Sequence, residues 1–265
     1  MKTSYLLILS ISLLVFAETQ SSFKFSGSVI TLNKMGAKKA VGENKGKGFA
    51  VLELFTSEGC SSCPPADELL GKIQRETEGK PVYVLTYHVD YWDRLGWKDM
   101  YSSADFSERQ VQYGHWLNFS PIFTPQVIIN GKLQFVGSEE FAVRQAISEQ
   151  LATDPVTTLT IQAYPEVGQL KVKYQVIHAA HDSRVLIAII QKAAQTKVER
   201  GENAGRLLSH IQIVRKLESG QLNVTGEGNA AVALPKGFDT QHWEVVALVQ
   251  NQNSGEILAV TKANL

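Results

Sequence analysis

The sequence predicts an α/β domain followed by a small all-β, sandwich-like domain, and three observations carry that prediction. Between Phe49 and Val89, two continuous apolar runs of strand length (FAVLELF and VYVLTYHV) flank a stretch of helical spacing, which reads as a right-handed parallel crossover unit. From Thr157 to Asn251 the apolar residues alternate instead, and no long helical period occurs. The change falls near Asp154-Pro155, so residues 49–154 make the first domain and residues 155–265 the second.

The elements follow in order. Met1-Lys2 is a short positive start, and Leu6 to Ala17 is an apolar run of signal-peptide length. It is shorter than the roughly 20 residues a membrane span needs. Residues 1–17 therefore read as a leader cleaved after Ala17, with a membrane anchor as the alternative. The mature chain is then expected in an exported, oxidising compartment, periplasmic or extracellular. Phe23 to Leu32 is a loose strand, and the Gly/Lys-rich run from Asn33 to Gly48 completes a flexible linker over residues 18–48. Phe49–Phe55 is a buried strand, Thr56–Gly59 a turn, Ser61 to about Gly79 a helix with prolines near its start, and Val82–Val89 a second strand. Ala104–Leu117 is a helix within an insertion over residues 101–120. Gln126–Asn130 and Gln134–Val136 form a hairpin about Asn130-Gly131, and Glu139–Leu151 is an amphipathic helix. In the second domain, strands are expected at Thr157–Ala163, Gln169–His178, Arg184–Gln191, His210–Arg215 and Glu244–Asn251.

Composition narrows the function. The chain has 265 residues, 26 basic and 26 acidic, so its formal net charge is zero, and 44% of it is apolar. That balance excludes a disordered polymer, a collagen-like repeat and a disulfide-dense mini-protein. Zero net charge argues against a general nucleic-acid or membrane-surface binder. No hydrolase Ser elbow and no HExxH zinc-protease motif occurs.

The chain's two cysteines stand together as Cys60-Ser61-Ser62-Cys63, directly after a strand and at a helix start. A two-residue spacer there lets the sulfurs reach disulfide distance. The helix N-terminus carries partial positive charge, which lowers the pKa of Cys60 and makes it the attacking thiol, with Cys63 as the resolving one. The readings open at this point are a redox dithiol, a structural disulfide closing a very small loop, and a metal site, for which zinc would want four ligands. Thr124-Pro125 immediately precedes a strand, where a proline is tolerated because no ladder N–H is required.

Strand–CxxC–helix–strand followed by Thr-Pro and a hairpin resembles the thioredoxin fold. The resemblance implies that Pro125 is cis and close to Cys60, and that Thr124 offers backbone hydrogen bonds to an extended substrate. Longer stretches are similar to the bacterial secreted family catalogued as domain of unknown function 1223. They are Glu53 to Asp67 (ELFTSEGCSSCPPAD), His88 to Asp93 (HVDYWD), Leu95-Gly-Trp97, Thr124-Pro-Gln126 and Arg200 to Arg206 (RGENAGR). That family implies a thioredoxin-like domain with an added β domain and supplies no settled function. The spacer here is Ser-Ser, and Gly59 stands where thioredoxin has Trp. Thioredoxin keeps a buried carboxylate on the preceding strand, and Glu53 is the candidate for it as a proton relay, one residue further from the first cysteine.

Sites in open α/β sheets lie at the carboxyl ends of strands, which brings His88 to Asp93 beside Cys60. Tyr91, Trp92 and Trp97 could form an aromatic surface for an extended peptide, and His88 and Asp90 could serve as base or ligand. Arg200 to Arg206 lacks a phosphate-loop ending; its glycines suit a tight turn, and its charged residues suit an interface with the first domain. The expected function is thiol–disulfide exchange through Cys60 and Cys63, with no cofactor beyond that pair. Its partners would be a thiol- or disulfide-bearing protein and a redox recycling protein. The alternatives are a copper carrier using Cys60, Cys63 and His88 or His115, and a binding module whose disulfide is inert. Copper carriers of this fold usually space their cysteines by three residues, against two here.

Overall fold

The structure, a computed structural model, describes residues 41–43 and 48–265. The expected leader at residues 1–17, its cleavage point and the expected strand Phe23–Leu32 lie outside the described residues. In chain order the elements are β1 (Val41–Glu43), β2 (Ala50–Thr56), α1 (Pro64–Glu76), β3 (Val82–His88), a 3-10 turn at Asp93–Leu95, α2 (Ala104–Trp116), β4 (Gln126–Ile129), β5 (Leu133–Val136) and α3 (Glu140–Leu151). Then come β6 (Thr158–Glu166), β7 (Gln169–Ile177), β8 (Ser183–Lys197), β9 (Leu207–Gly220), β10 (Glu227–Ala233), β11 (Trp243–Asn251) and β12 (Ile257–Lys262).

This is a mixed α/β fold with one large sheet, of order β12-β11-β8-β9-β3-β2-β4-β5, and a four-stranded sheet of order β1-β6-β7-β10. Strands β2 and β3 pair in parallel from Ala50↔Val82 to Thr56↔His88, and β4 runs antiparallel to β2. The large sheet crosses the division expected at Asp154-Pro155, because β9 pairs in parallel with β3 at Thr86↔Ile213. That pairing occupies an edge of β3 that would otherwise present unpaired backbone groups.

Side chains alternate across the strands and build three cores. Ala50, Leu52 and Leu54 pack with Leu70 and Ile73 of α1 and Ile147 of α3. The opposite face, with Val51, Phe55 and Tyr87, receives Phe106 and Tyr113 of α2 and continues through Ala188, Ile190 and Leu248. Ile187, Ile189, Val245 and Ala247 meet Leu159, Ile161, Leu170 and Val172 of the smaller sheet.

Several boundaries differ from expectation. Val41–Glu43, expected within the linker, pairs with β6 at Val41↔Gln162; its short run carries no alternating pattern that would mark it. Helix α1 begins at Pro64 rather than Ser61. Pro64 and Pro65 take the first two helical positions, where a missing N–H costs nothing, and the cysteine segment stays a turn. Strands β10 and β12 add to the expected set; EGNAAVA is poor in the β-branched and aromatic residues that mark strands, and ILAVTK, though rich in them, is only six residues long. The Asn130-Gly131 hairpin has φ of 48° and 67°, the positive pair that a type I′ turn requires. Asn130 also accepts from Val51 N–H at 2.7 Å and donates to the Phe49 carbonyl at 2.9 Å, fastening this turn to β2.

A buried polar network ties the two halves together on the α2 face. Arg109 of α2 donates to Glu53 of β2, with Nε–Oε1 2.8 Å, and Tyr113 Oη donates to the other carboxylate oxygen. Gln250 of β11 accepts from Arg109 at 3.3 Å and from Arg184 of β8 at 3.0 Å, and donates to Tyr113 Oη at 3.0 Å. Removing one partner of such a pair strands a buried charge, whereas removing both does not. Arg109→Met is therefore expected to destabilise the fold by about 3–5 kcal/mol in denaturant titrations, and adding Glu53→Gln to recover much of that loss.

Candidate functional site

The turn from β2 into α1 carries a Cys60–Cys63 disulfide with a Cα–Cα distance of 5.4 Å. Cys60 N–H bonds the Ser57 carbonyl and Cys63 N–H the Cys60 carbonyl, each at 3.2 Å, so the pair sits in consecutive tight turns. Cys63 caps α1, and its carbonyl accepts from Asp67 N–H one turn later. Both cysteines are 0% exposed, while Ser61 and Ser62 between them are exposed. Ser62 Oγ stands 3.4 Å from Cys60 Sγ and donates to the Thr124 carbonyl at 3.5 Å. The Thr124–Pro125 bond is cis, as is Ser120–Pro121. Trp92 spans this region: its indole N–H donates to Thr124 Oγ1 at 2.8 Å, and its Cβ lies 3.1 Å from where a Cβ on Gly59 would stand. A side chain at position 59 would displace that tryptophan, which accounts for the glycine.

Beneath the turn, on the α1 face, lies a cluster of buried titratable groups. Thr56 and His88 are register partners at the ends of β2 and β3, and Thr56 Oγ1 donates to Asp67 Oδ2 at 3.0 Å. His88 Nδ1 is 2.6 Å from Asp99 Oδ2, which also accepts from Glu58 N–H at 2.9 Å. His210 of β9 meets Glu58 Oε1 at 3.2 Å and packs edge to face on His88, with ring centres 4.9 Å apart. Trp97 donates its indole N–H to Glu58 Oε2 at 2.7 Å. Among the described residues, Asp67 Oδ1, His88 Nε2 and His210 Nδ1 are buried without a hydrogen-bond partner. Burial pushes the Asp67 carboxyl above its ordinary range, against the attraction of His88 and His210. Burial also opposes charge on His88, but the Asp99 carboxylate outweighs it and holds that imidazole above its usual value. Asp99 is burdened by the same burial, and its pairing with His88 leaves it below the usual carboxylate range.

The loop between β8 and β9 closes over the cysteine turn. Glu202 Oε2 accepts from Ser61 N–H at 3.1 Å and from Ser61 Oγ at 2.6 Å. Asn203, fully buried, donates its amide to the carbonyls of Glu58 and Cys60, both at 2.9 Å. Gly201 and Gly205 adopt φ of 77° and 82°, the left-handed turns for which glycine suits this loop. The interface expected of the charged residues in RGENAGR is thus present, at the cysteines themselves.

Other expected site residues are placed differently. Glu53 shares the face of Val51 and Phe55 and points to α2, where Arg109 and Tyr113 bind it, whereas α1 lies on the opposite face with Leu52 and Leu54. It is corrected from proton relay to fold anchor; the extra residue between it and Cys60 turns it to the other side of β2. Asp90 is tied to α2, accepting from Ser107 Oγ at 2.5 Å. The tyrosine of the expected aromatic surface donates to Gln110, at 3.2 Å from Tyr91 Oη. Tyr91, Trp92 and Trp97 are all partly exposed, and each is held by a hydrogen bond from its polar end. Among the described residues no group of three or more His, Cys, Asp or Glu is arranged to hold a metal ion. Sequence reasoning missed Asp67, Asp99, His210, Glu202 and Asn203 as site residues. Asp67 left a signal, standing four positions after Cys63 and so one helical turn on, and Glu202 and Asn203 stand in the Arg200–Arg206 stretch whose charged residues suit an interface with the first domain.

A family model described as Protein of unknown function (DUF1223) matches residues 51–250. A crystal structure of protein AGR_C_4864 from Agrobacterium tumefaciens is similar at 25% identity and TM-score 0.61, covering 82% of this chain and 93% of that one. A domain of the outer membrane lipoprotein Omp28 from Porphyromonas gingivalis aligns at 17% identity and TM-score 0.22, over 42% of this chain and 90% of that one. No curated protein matches. The family match takes in the cysteine turn, the cluster beneath it and the Arg200–Arg206 loop, and on it the chain belongs to the family described as Protein of unknown function (DUF1223).

Proposed function

We propose that this protein exchanges thiols and disulfides through Cys60 and Cys63 on a thioredoxin-like core. The run β2-α1-β3-α2-β4-β5-α3, with local strand order β3-β2-β4-β5, supports that core. The observation that carries the function is the Cys60–Cys63 disulfide at the N-terminus of α1, with the buried Asp67 carboxyl one turn behind it. A substrate thiolate attacks Cys60 Sγ, a mixed disulfide forms, and Cys63 leaves as a thiolate that takes a proton from Asp67. The substrate's second thiolate then attacks its own sulfur in the mixed disulfide and expels Cys60. The two substrate thiols release their protons to water as they ionise; the substrate loses two electrons and the protein gains them, Asp67 regains its proton from water, and a recycling protein removes the electrons; the same steps reversed reduce a substrate. The substrate class is a protein or small thiol, and the leader expected at residues 1–17 would deliver the protein to an oxidising compartment.

Equilibrium titration in glutathione buffers should reveal a reversible transition, with a midpoint near about −120 mV for an oxidant or about −270 mV for a reductant. Cys60→Ser should abolish exchange with a model disulfide; full activity in that variant would sink the proposal.

Asp67 offers a second test. Its folded pKa lies above the unfolded one, so its stabilising contribution is complete below the ordinary value of 3.8 and is lost as pH rises through the raised value. Asp67→Asn escapes that loss. Its stability advantage over the wild type should grow from acid to neutral pH, while exchange slows. A buried acid retained at a stability cost is what a proton-transfer role requires.

The second reading, a binding module with an inert disulfide, is favoured by one observation: neither cysteine has exposed surface. Exchange then needs the surroundings of the turn to open locally, and Trp92, bonded to Thr124 and packed at Gly59, is the side chain removed to test that opening. Losing that one hydrogen bond, worth about 1 kcal/mol, should make Trp92→Ala reducible by dithiothreitol about fivefold faster in the folded state. A disulfide inert to excess reductant in both proteins would favour the module.

A further inference from the structure

We infer that Glu202, on the loop between β8 and β9, tunes the redox potential of the Cys60–Cys63 couple and makes it a weaker oxidant. The inference rests on the exchange reading above and adds to it a positioning residue from the far half of the chain.

The geometry is specific. One carboxylate oxygen, Glu202 Oε2, takes both the N–H of Ser61 (3.1 Å) and its hydroxyl (2.6 Å). Ser61 is the residue that follows Cys60, at the turn leading into α1. Reduction creates charge where the disulfide has none. A Cys60 thiolate is stabilised by nearby donors and by the positive end of the helix. Glu202 works against it twice: two adjacent donors are already committed to a carboxylate, and that carboxylate is a like charge beside the thiolate. The disulfide suffers neither penalty. The reduced form is therefore raised relative to the oxidised one, the opposite of the device by which a strong oxidant stabilises its reduced form.

The loop does not need Glu202 to stay in place. Asn203 fastens it to the carbonyls of Glu58 and Cys60. Arg206 donates to Asn203 Oδ1 at 2.8 Å, and Val198 and Gly205 close the loop's base with backbone bonds of 2.9 and 2.8 Å. Glu202 itself is exposed. Its two bonds from Ser61 hold its carboxyl below the usual glutamate range, so it is ionised at neutral pH. Charge and anchorage thus reside in different residues of the same loop.

Glu202→Gln keeps an acceptor for Ser61 and removes the charge alone. In glutathione buffers the exchange constant should shift toward the reduced form by about three- to tenfold, where tenfold is ~30 mV for a two-electron couple. Glu202→Asp, which keeps the charge, should stay close to the wild type. An unmoved midpoint in Glu202→Gln overturns the inference while leaving the exchange reading intact. If the wild type shows no reversible couple, the exchange reading fails, and a redox-free measurement decides on Glu202. In a Cys63→Ser background, thiolate ultraviolet absorbance is followed against pH with and without Glu202→Gln. The added substitution should lower the pH at which Cys60 ionises; coincident titrations overturn the inference.

Discussion

The parallel pairing of β3 with β9 is the constraint on which the rest of this structure depends. It turns two runs of secondary structure, one rich in crossovers and one in hairpins, into a single eight-stranded sheet. Through it β9 delivers His210 against His88, and the loop leading into β9 delivers Glu202 and Asn203 onto the cysteine turn. Without that junction Glu58 would lose its His210 partner, and the carbonyls of Glu58 and Cys60 would lose the Asn203 amide. The Glu53–Arg109–Gln250 network reinforces it on the other face, joining β2 and α2 to β11 and β8.

Two buried ionic clusters thus flank β2, and they differ in character. On the α2 face, Glu53 is matched by Arg109 and Tyr113, while Arg184 Nε and Tyr87 Oη there are buried with no partner among the described residues. On the α1 face, Asp67, His88 and His210 each retain a buried atom with no partner among the described residues. An unpartnered buried polar atom costs stability, and such costs are retained where chemistry needs them. What sets the α1-face cluster apart is its place beneath the cysteine turn, where Asp67 N–H bonds the Cys63 carbonyl.

Local chemistry was legible in the sequence, and long-range closure was not. The β2–α1–β3 unit followed from two apolar runs around a helical stretch, and the hairpin at Asn130-Gly131 from its turn chemistry. The cysteine pair announced itself by spacing and position. Glu53 misled because period-two alternation makes one residue of shift the difference between faces, and the length of the turn after β2 is not written in any local pattern. His210 left no signal, and the Arg200–Arg206 stretch marked Asn203's loop without naming its partners, since both roles exist only through a strand pairing between distant segments. The continuous sheet was hidden for the same reason: an antiparallel pattern from Thr157 onward describes how β8 and β9 treat each other and says nothing of β9's other edge.

The amide of Asn203 bonds the carbonyl of Cys60 across 143 residues of chain. During synthesis the two cysteines therefore leave the ribosome long before the residue that fastens their turn. For that interval the pair lies in a segment whose clasp does not yet exist, open to the thiols and oxidants around it. Docking of the loop then changes the environment of whatever bond the two sulfurs have already made, so the order of synthesis and the chemistry of the pair meet in one hydrogen bond.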